Sequence, residues 1–202
     1  MDIFQIILLL NLCISVGYFI ISMIALKMSG INPIGKKEKT NNIFGVIAII
    51  ISTSILFVLW IMYIINPNIS LLFLSIKSLT GLVYIKWISV SLITIATIIE
   101  IISSLTLGKS GRIHSPTEKT KLIKTGMYGI IRNPIVLGLF LYGLGILLLN
   151  PNLLSLLMII FIVYGYNYKV DTEAKKLKEM FGDEWDEYCK KVGKYLPRLF
   201  NR

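Results

Sequence analysis

The sequence predicts an all-α, polytopic membrane protein: a bundle of about five transmembrane helices followed by an amphipathic, cytosolic C-terminal helical tail. Three observations carry that expectation. Only 16% of the 202 residues are charged, against about 25% in a soluble domain, and the mean hydropathy is +0.75. The apolar residues gather into runs of about 18 or more with almost no charge, the mark of a membrane span. The basic residues lie mostly between and after those runs. The chain divides into an N-terminal transmembrane part, residues 1–107, and a C-terminal part, residues 108–202, that holds a helical hairpin and the tail.

Phe4 to Leu26 is the first run. At about 1.5 Å per residue it reaches about 34 Å, enough to cross a hydrocarbon core of about 30 Å. Ser15, Gly17, Ser22 and Ala25 permit close helix contact within it. No secretory cleavage site follows, so it is expected to remain as a span. Gly30, Pro33 and Gly35 then break the chain into a short loop with Lys36, Lys37, Glu38 and Lys39. Asn42 to Ile65 is the second span, uncharged throughout, and Asn66-Pro67-Asn68 is a turn. Ser70 to Trp87 carries Lys77, Gly81 and Lys86, and two readings stand open: it lies on the membrane surface, or it starts the third span obliquely. Ile88 to Leu107 is that span's apolar core, interrupted by Glu100. A carboxylate within a span is costly and marks a functional position; the competing reading is that Glu100, two turns from the helix end, reaches water or a lysine.

Gly108 to Arg132 is a basic loop holding His114, the only histidine of the chain. Pro134 to Leu149 and Asn152 to Tyr168 follow, joined by Asn150-Pro151-Asn152. One helix through both would be about 50 Å long, and Pro151 breaks it, so a hairpin is predicted. Its short arms could be lengthened through Tyr128 to Asn133. Tyr164, Tyr166 and Tyr168 end the second arm as an interfacial belt or as pocket lining. In the tail, Val170, Ala174, Leu177 and Phe181 share one helical face, and Gly182 stops that helix. Trp185, Tyr188, Cys189 and Val192 form a second stripe, ended by Pro197. Such helices can lie on a membrane or cap the cytosolic mouth of the bundle.

The net charge of +10 does not signal nucleic-acid binding, since the cations flank membrane runs and no nucleic-acid-binding motif is evident. With five crossings and an outside N-terminus, the inside segments hold Lys27, Lys36, Lys37, Lys39, six basic residues of the central loop and nine in the tail, while Lys77 and Lys86 fall elsewhere. This is the positive-inside pattern, and it places a multi-pass protein, expected in the cell membrane, with its C-terminus in the cytosol. Cys13 and Cys189 lie too far apart to suggest a disulfide framework or a metal site.

Leu122 to Gly138 contains Gly126, Tyr128, Arg132, Asn133, Pro134 and Gly138. After the hairpin come Glu173, Ala174, Leu177, Phe181-Gly182, Trp185 and Tyr188, then Pro197-Arg198. In order and spacing this resembles the isoprenylcysteine carboxyl methyltransferase and phospholipid methyltransferase group of membrane enzymes, over about residues 108–198. The family pattern has histidine at Asn133, tyrosine at Val136, a second glutamate at Ala174 and tyrosine at Trp185. The resemblance implies an S-adenosylmethionine-dependent methyltransferase whose cofactor is held by Tyr128, Arg132, Asn133, Pro134, Gly138 and Glu173, with Arg132 and Asn133 nearest the chemistry. Arg132 offers a donor fork to a carboxylate, and Glu173 accepts from an amino group or a ribose hydroxyl. It implies membrane lipids as surroundings and a lipid-like or prenylated acceptor, with O-methylation of a carboxylate favoured over N-methylation of a phospholipid amine. A noncatalytic protein that keeps the fold is the alternative.

Overall fold

The computed structural model describes residues 1–30, 43–67, 82–108 and 121–198. The first basic loop with Lys36, Lys37 and Lys39, the stretch around Lys77, and the central loop around His114 lie outside the described residues. Six α-helices occur among the described residues: α1 (Ile3–Met28), α2 (Ile43–Ile65), α3 (Val83–Leu107), α4 (Pro134–Leu149), α5 (Leu153–Phe181) and α6 (Asp183–Lys191). A 3-10 turn over Gly126–Gly129 precedes α4. The all-α expectation holds, and α1, α2, α3 and α5 are long and apolar enough to cross a membrane. The protein is therefore an integral, multi-pass membrane protein.

Local chemistry sets the ends of these helices. Asp2 and Gln5 form a reciprocal capping box at the start of α1, satisfying donors that a helix N-terminus leaves unpaired. Val83–Trp87 belongs to α3, while Ser70 to Gly81 lies outside the described residues. Lys86 lies over the Phe4 ring, 5.6 Å from its centroid.

The hairpin is present, but its first arm is not lengthened. Ahead of Pro134 the chain runs as the 3-10 turn and an extended stretch, because Pro134 takes the first helical position of α4 and disfavours helix in the residue before it. At 16 residues, α4 spans about 24 Å, less than a hydrocarbon core. The turn that follows is protected: Asn150 and Asn152 are buried. The Asn150 carbonyl accepts from Asn152 Nδ2 at 3.1 Å and from Ser155 Oγ at 3.0 Å. Non-helical backbone satisfied inside the protein is tolerated at membrane depth, so a short α4 can turn without reaching the far surface.

The second arm does not stop at Tyr168. It continues as one helix of 29 residues to Phe181, since no glycine or proline interrupts Lys169 to Phe181 and Lys169 pairs with Glu173 one turn on, at 3.8 Å. At about 44 Å it exceeds the apolar core, and its polar end carries Glu173. Gly182 ends it with φ of +54°, a left-handed conformation that glycine adopts readily.

In a membrane, packing contact replaces water exclusion as the force between helices, and small residues allow the closest approach. α4 packs chiefly on α3, and α5 on α2. A Cβ on Gly145 would meet Ile93 Cγ1 at 2.7 Å, and one on Gly165 would meet Ile49 Cγ1 at 2.6 Å. Leu8, Leu59 and Ile93 are fully buried at the centre of this bundle. A second cluster stands beyond it: Trp185, Tyr188 and Val192 pack on Ala174, Leu177 and Phe181, so the two stripes of the tail face one another.

Candidate functional site

The segment before α4 is held by the tail. Ile131 and Gly193 form a parallel β-bridge. The Arg132 amide donates to the Gly193 carbonyl at 2.9 Å, and the Asn133 amide donates to that of Lys194 at 3.2 Å. The Asn133 side chain adds a bond from Nδ2 to the Lys194 carbonyl at 3.1 Å. Tyr188 Oη donates to the Tyr128 carbonyl at 2.6 Å. Burial pushes the Tyr188 phenol up to about 12, against the opposing pull of Arg132, and burial also raises that of Tyr128. Both are neutral phenols at physiological pH.

The tail is anchored in turn to α5. Lys194 Nζ reaches Asp171 at 2.7 Å and Asn167 at 3.1 Å, while Tyr195 Oη donates to Asn167 at 2.9 Å. A single closed unit results, in which the chain before α4, the polar end of α5, α6 and the final segment brace each other.

Beneath this unit lies a cavity of ≈ 1150 Å³, bordered by the C-terminal ends of α1, α3 and α5, the N-terminal part of α4, and α6. Pockets for small ligands run to about 300–1,000 Å³, so the space is large enough for a small-molecule ligand. Tyr128, Arg132, Asn133, Tyr166, Lys169 and Glu173 all border it, with Trp185 and Tyr188 on the α6 side. Arg132 donates from Nη1 to Cys189 Sγ and its guanidinium lies over the Trp185 ring at 5.8 Å. Its Nε is buried with no hydrogen-bond partner among the described residues. A guanidinium and an acidic side chain thus border one hollow that also has aromatic side chains in its wall.

Of the six residues expected at the site, Tyr128, Arg132, Asn133 and Glu173 are brought together on this cavity. Pro134 and Gly138 are not on it. Pro134 is fully buried as the first residue of α4, and a Cβ on Gly138 would stand 3.4 Å from the Ala96 carbonyl oxygen; both fit α4 against its neighbours. Tyr166 borders the cavity, so the pocket-lining reading holds for it, while Tyr164 is exposed. Lys169, Trp185, Tyr188 and Cys189 were not among the expected site residues. The second apolar stripe of the tail was the signal that could have found the last three.

Glu100 also borders this cavity, and it borders a second, smaller one of ≈ 340 Å³ deeper in the bundle. It accepts from Tyr142 Oη at 3.2 Å. That phenol is 2.8 Å from Ser15 Oγ and 2.9 Å from Thr97 Oγ1. Thr97 also donates to Asn11 Oδ1 at 2.9 Å.

The phospholipid methyltransferase family matches residues 84–184, half of the chain. Over 101 residues the chain is 36% identical to a protein-S-isoprenylcysteine O-methyltransferase of Saccharomyces cerevisiae, covering 46% of this chain and 42% of that protein. The protein of the same name in Schizosaccharomyces pombe is 31% identical over 79 residues, 39% of this chain and 34% of the relative. A probable protein-S-isoprenylcysteine O-methyltransferase of Oryza sativa subsp. indica is 26% identical over 119 residues, covering 56% and 62%. The aligned stretches thus span less than half the length of either yeast relative. The family match takes in α3, the hairpin and the cavity-lining residues of α5.

Proposed function

The chain belongs to the phospholipid methyltransferase family, and on that premise we propose that it is an S-adenosylmethionine-dependent methyltransferase acting on a lipid-like acceptor where the bilayer meets the cytosol. One observation carries the reading: Arg132 and Glu173, a cation and an acid 41 positions apart in sequence, border the same cavity. Arg132 would hold the carboxylate of the methionyl part, and Glu173 its amino group or a ribose hydroxyl. Tyr166 and Trp185 offer aromatic faces for the adenine ring. When bound, this cofactor supplies a methyl group already activated on a positively charged sulfur.

The chain's own contribution is then positional. Tyr128, Tyr188 and the bridge to Gly193 fix the entry to α4, and Asn133 fixes the tail over the cavity through its bond to Lys194. Asn133 stands at the family's histidine position, and an amide neither gains nor loses a proton at working pH. Its proposed part is to position, while orientation of the acceptor and exclusion of water lower the barrier. The names of the curated relatives support a carboxylate acceptor, and the family's description supports a phospholipid.

The test is transfer of a labelled methyl group from S-adenosylmethionine into a membrane lipid extract by the purified protein in nanodiscs. Incorporation into a lipid, lost in Arg132→Ala, is expected. Cofactor binding without incorporation into any lipid would favour the noncatalytic alternative, toward which Asn133, Val136 and Ala174 incline.

A further inference from the structure

We propose that Glu100 is the acceptor-specificity residue of this site, selecting amphiphiles with an amine head over those with a carboxylate head. The inference deepens the methyltransferase reading and rests on it for the word acceptor. Glu100 borders both the large cavity and the smaller chamber of ≈ 340 Å³. That chamber is walled mainly by apolar side chains, among them Leu56, Trp60, Ile146 and Ile162. An apolar chain seated there would bring its head to Glu100, next to the space where Arg132 and Glu173 lie.

The hydrogen-bond network fixes what Glu100 can recognise. A phenol has one proton, and Tyr142 directs its own to Glu100 at 3.2 Å. Thr97 directs its single proton to Asn11 at 2.9 Å, so Ser15, at 2.8 Å, is the hydroxyl that donates to the Tyr142 oxygen. Three helices thus meet in a relay that ends on an acceptor: Ser15 from α1, Tyr142 from α4 and Glu100 itself on α3. A carboxylate has about four lone-pair sites, and the phenol fills one. An ammonium head donates to the others and neutralises the charge, whereas a carboxylate head would place a second negative charge beside Glu100 in a poorly solvated wall. A carboxylate retained inside a span against its desolvation cost is itself the mark of a site.

A tryptophan stands in the chamber wall and can report on what enters it. Trp60 is 5% exposed, lines the chamber, and has a buried indole N–H with no partner among the described residues.

The experiment uses the full chain in phosphatidylcholine nanodiscs, without cofactor, titrated with bromododecylamine and with bromododecanoate, whose bromine quenches nearby tryptophan. Trp60→Phe identifies the part of the quenching that arises in the chamber. The amine probe is expected to bind about tenfold or more tightly than the carboxylate probe, the scale of one hydrogen-bonded charge, and Glu100→Gln is expected to erase most of that preference. Equal affinities, a preference for the carboxylate, or an amine preference unchanged in Glu100→Gln would overturn the proposal. The wild-type comparison stands alone if Glu100→Gln does not fold. A separate titration with S-adenosylmethionine keeps the two ideas apart: absence of cofactor binding beside a clear amine preference would remove the methyltransferase reading and leave the amphiphile site.

Discussion

The amide of Arg132 donates to the carbonyl of Gly193 across 2.9 Å, so the residue proposed to meet the cofactor's carboxylate is fixed by the protein's own C-terminal tail. Sixty residues of hairpin and helix separate the two in sequence. The contact converts the tail from a surface helix into a wall of the cavity. It also makes the geometry of the site sensitive to substitutions that touch no ligand.

Gly193→Ala is the sharpest of these. A Cβ there would stand 2.0 Å from the Leu196 carbonyl oxygen, a backbone atom that cannot step aside alone. The tail must shift, at about 1–3 kcal/mol for an overpacked position. Limited proteolysis is expected to cut the tail of this variant several-fold faster than that of wild type, while the span helices keep their thermal unfolding. An unchanged cleavage rate would show that the bridge does not hold the tail.

Tyr188→Phe removes one buried hydroxyl and leaves the Tyr128 carbonyl without its partner. The expected loss is about 0.5–1.5 kcal/mol, read as earlier unfolding of the tail region in detergent. The bond should be insensitive to ordinary pH. An unfolded tyrosine titrates near 10 and Tyr188 near 12, so the folded state keeps the proton longer. Stability from this group is level through neutral pH and falls only as pH rises above about 10. A stability change assigned to Tyr188 between pH 6 and 9 would contradict the assignment.

Gly165→Ala tests the close approach of α5 to α2. The added methyl would meet Ile49 Cγ1 at 2.6 Å and the Gly45 carbonyl oxygen at 3.1 Å, so a loss of about 1–3 kcal/mol is expected. Gly17→Ala is its control, because nothing lies within 4 Å of a Cβ there. Thermal unfolding in one detergent should separate the two; equal midpoints would mean that α2 and α5 do not pack this tightly.

The spans were legible because the signal is composition over many residues: α1 and α2 begin and end within about two residues of the runs read from hydropathy, in keeping with the usual scatter of helix ends. The hairpin was legible from Pro151 and from the excessive length of an unbroken helix. The continuity of α5 was not, since the change from apolar to charged at Lys169 marks where a helix leaves the membrane rather than where it ends. At the site, Arg132 and Glu173 stood out as motif positions. Cys189, Trp185 and Tyr188 stood out only as an apolar stripe, because periodicity shows that residues share a face and not what that face meets. The bridge between Ile131 and Gly193 left no mark at all: it is made by backbone groups, which every residue carries. Glu100 was visible as a misplaced charge, but the relay ending on it draws on three helices and needed the fold.

Calorimetric titration of the purified protein with S-adenosylmethionine, beside Arg132→Ala and Glu173→Ala, tests the central claim most directly. The account predicts saturable binding to wild type that weakens at least about tenfold in each variant, as expected for loss of a charge-assisted bond. Folded wild-type protein that gives no heat of binding, or variants that bind as tightly as wild type, would contradict it.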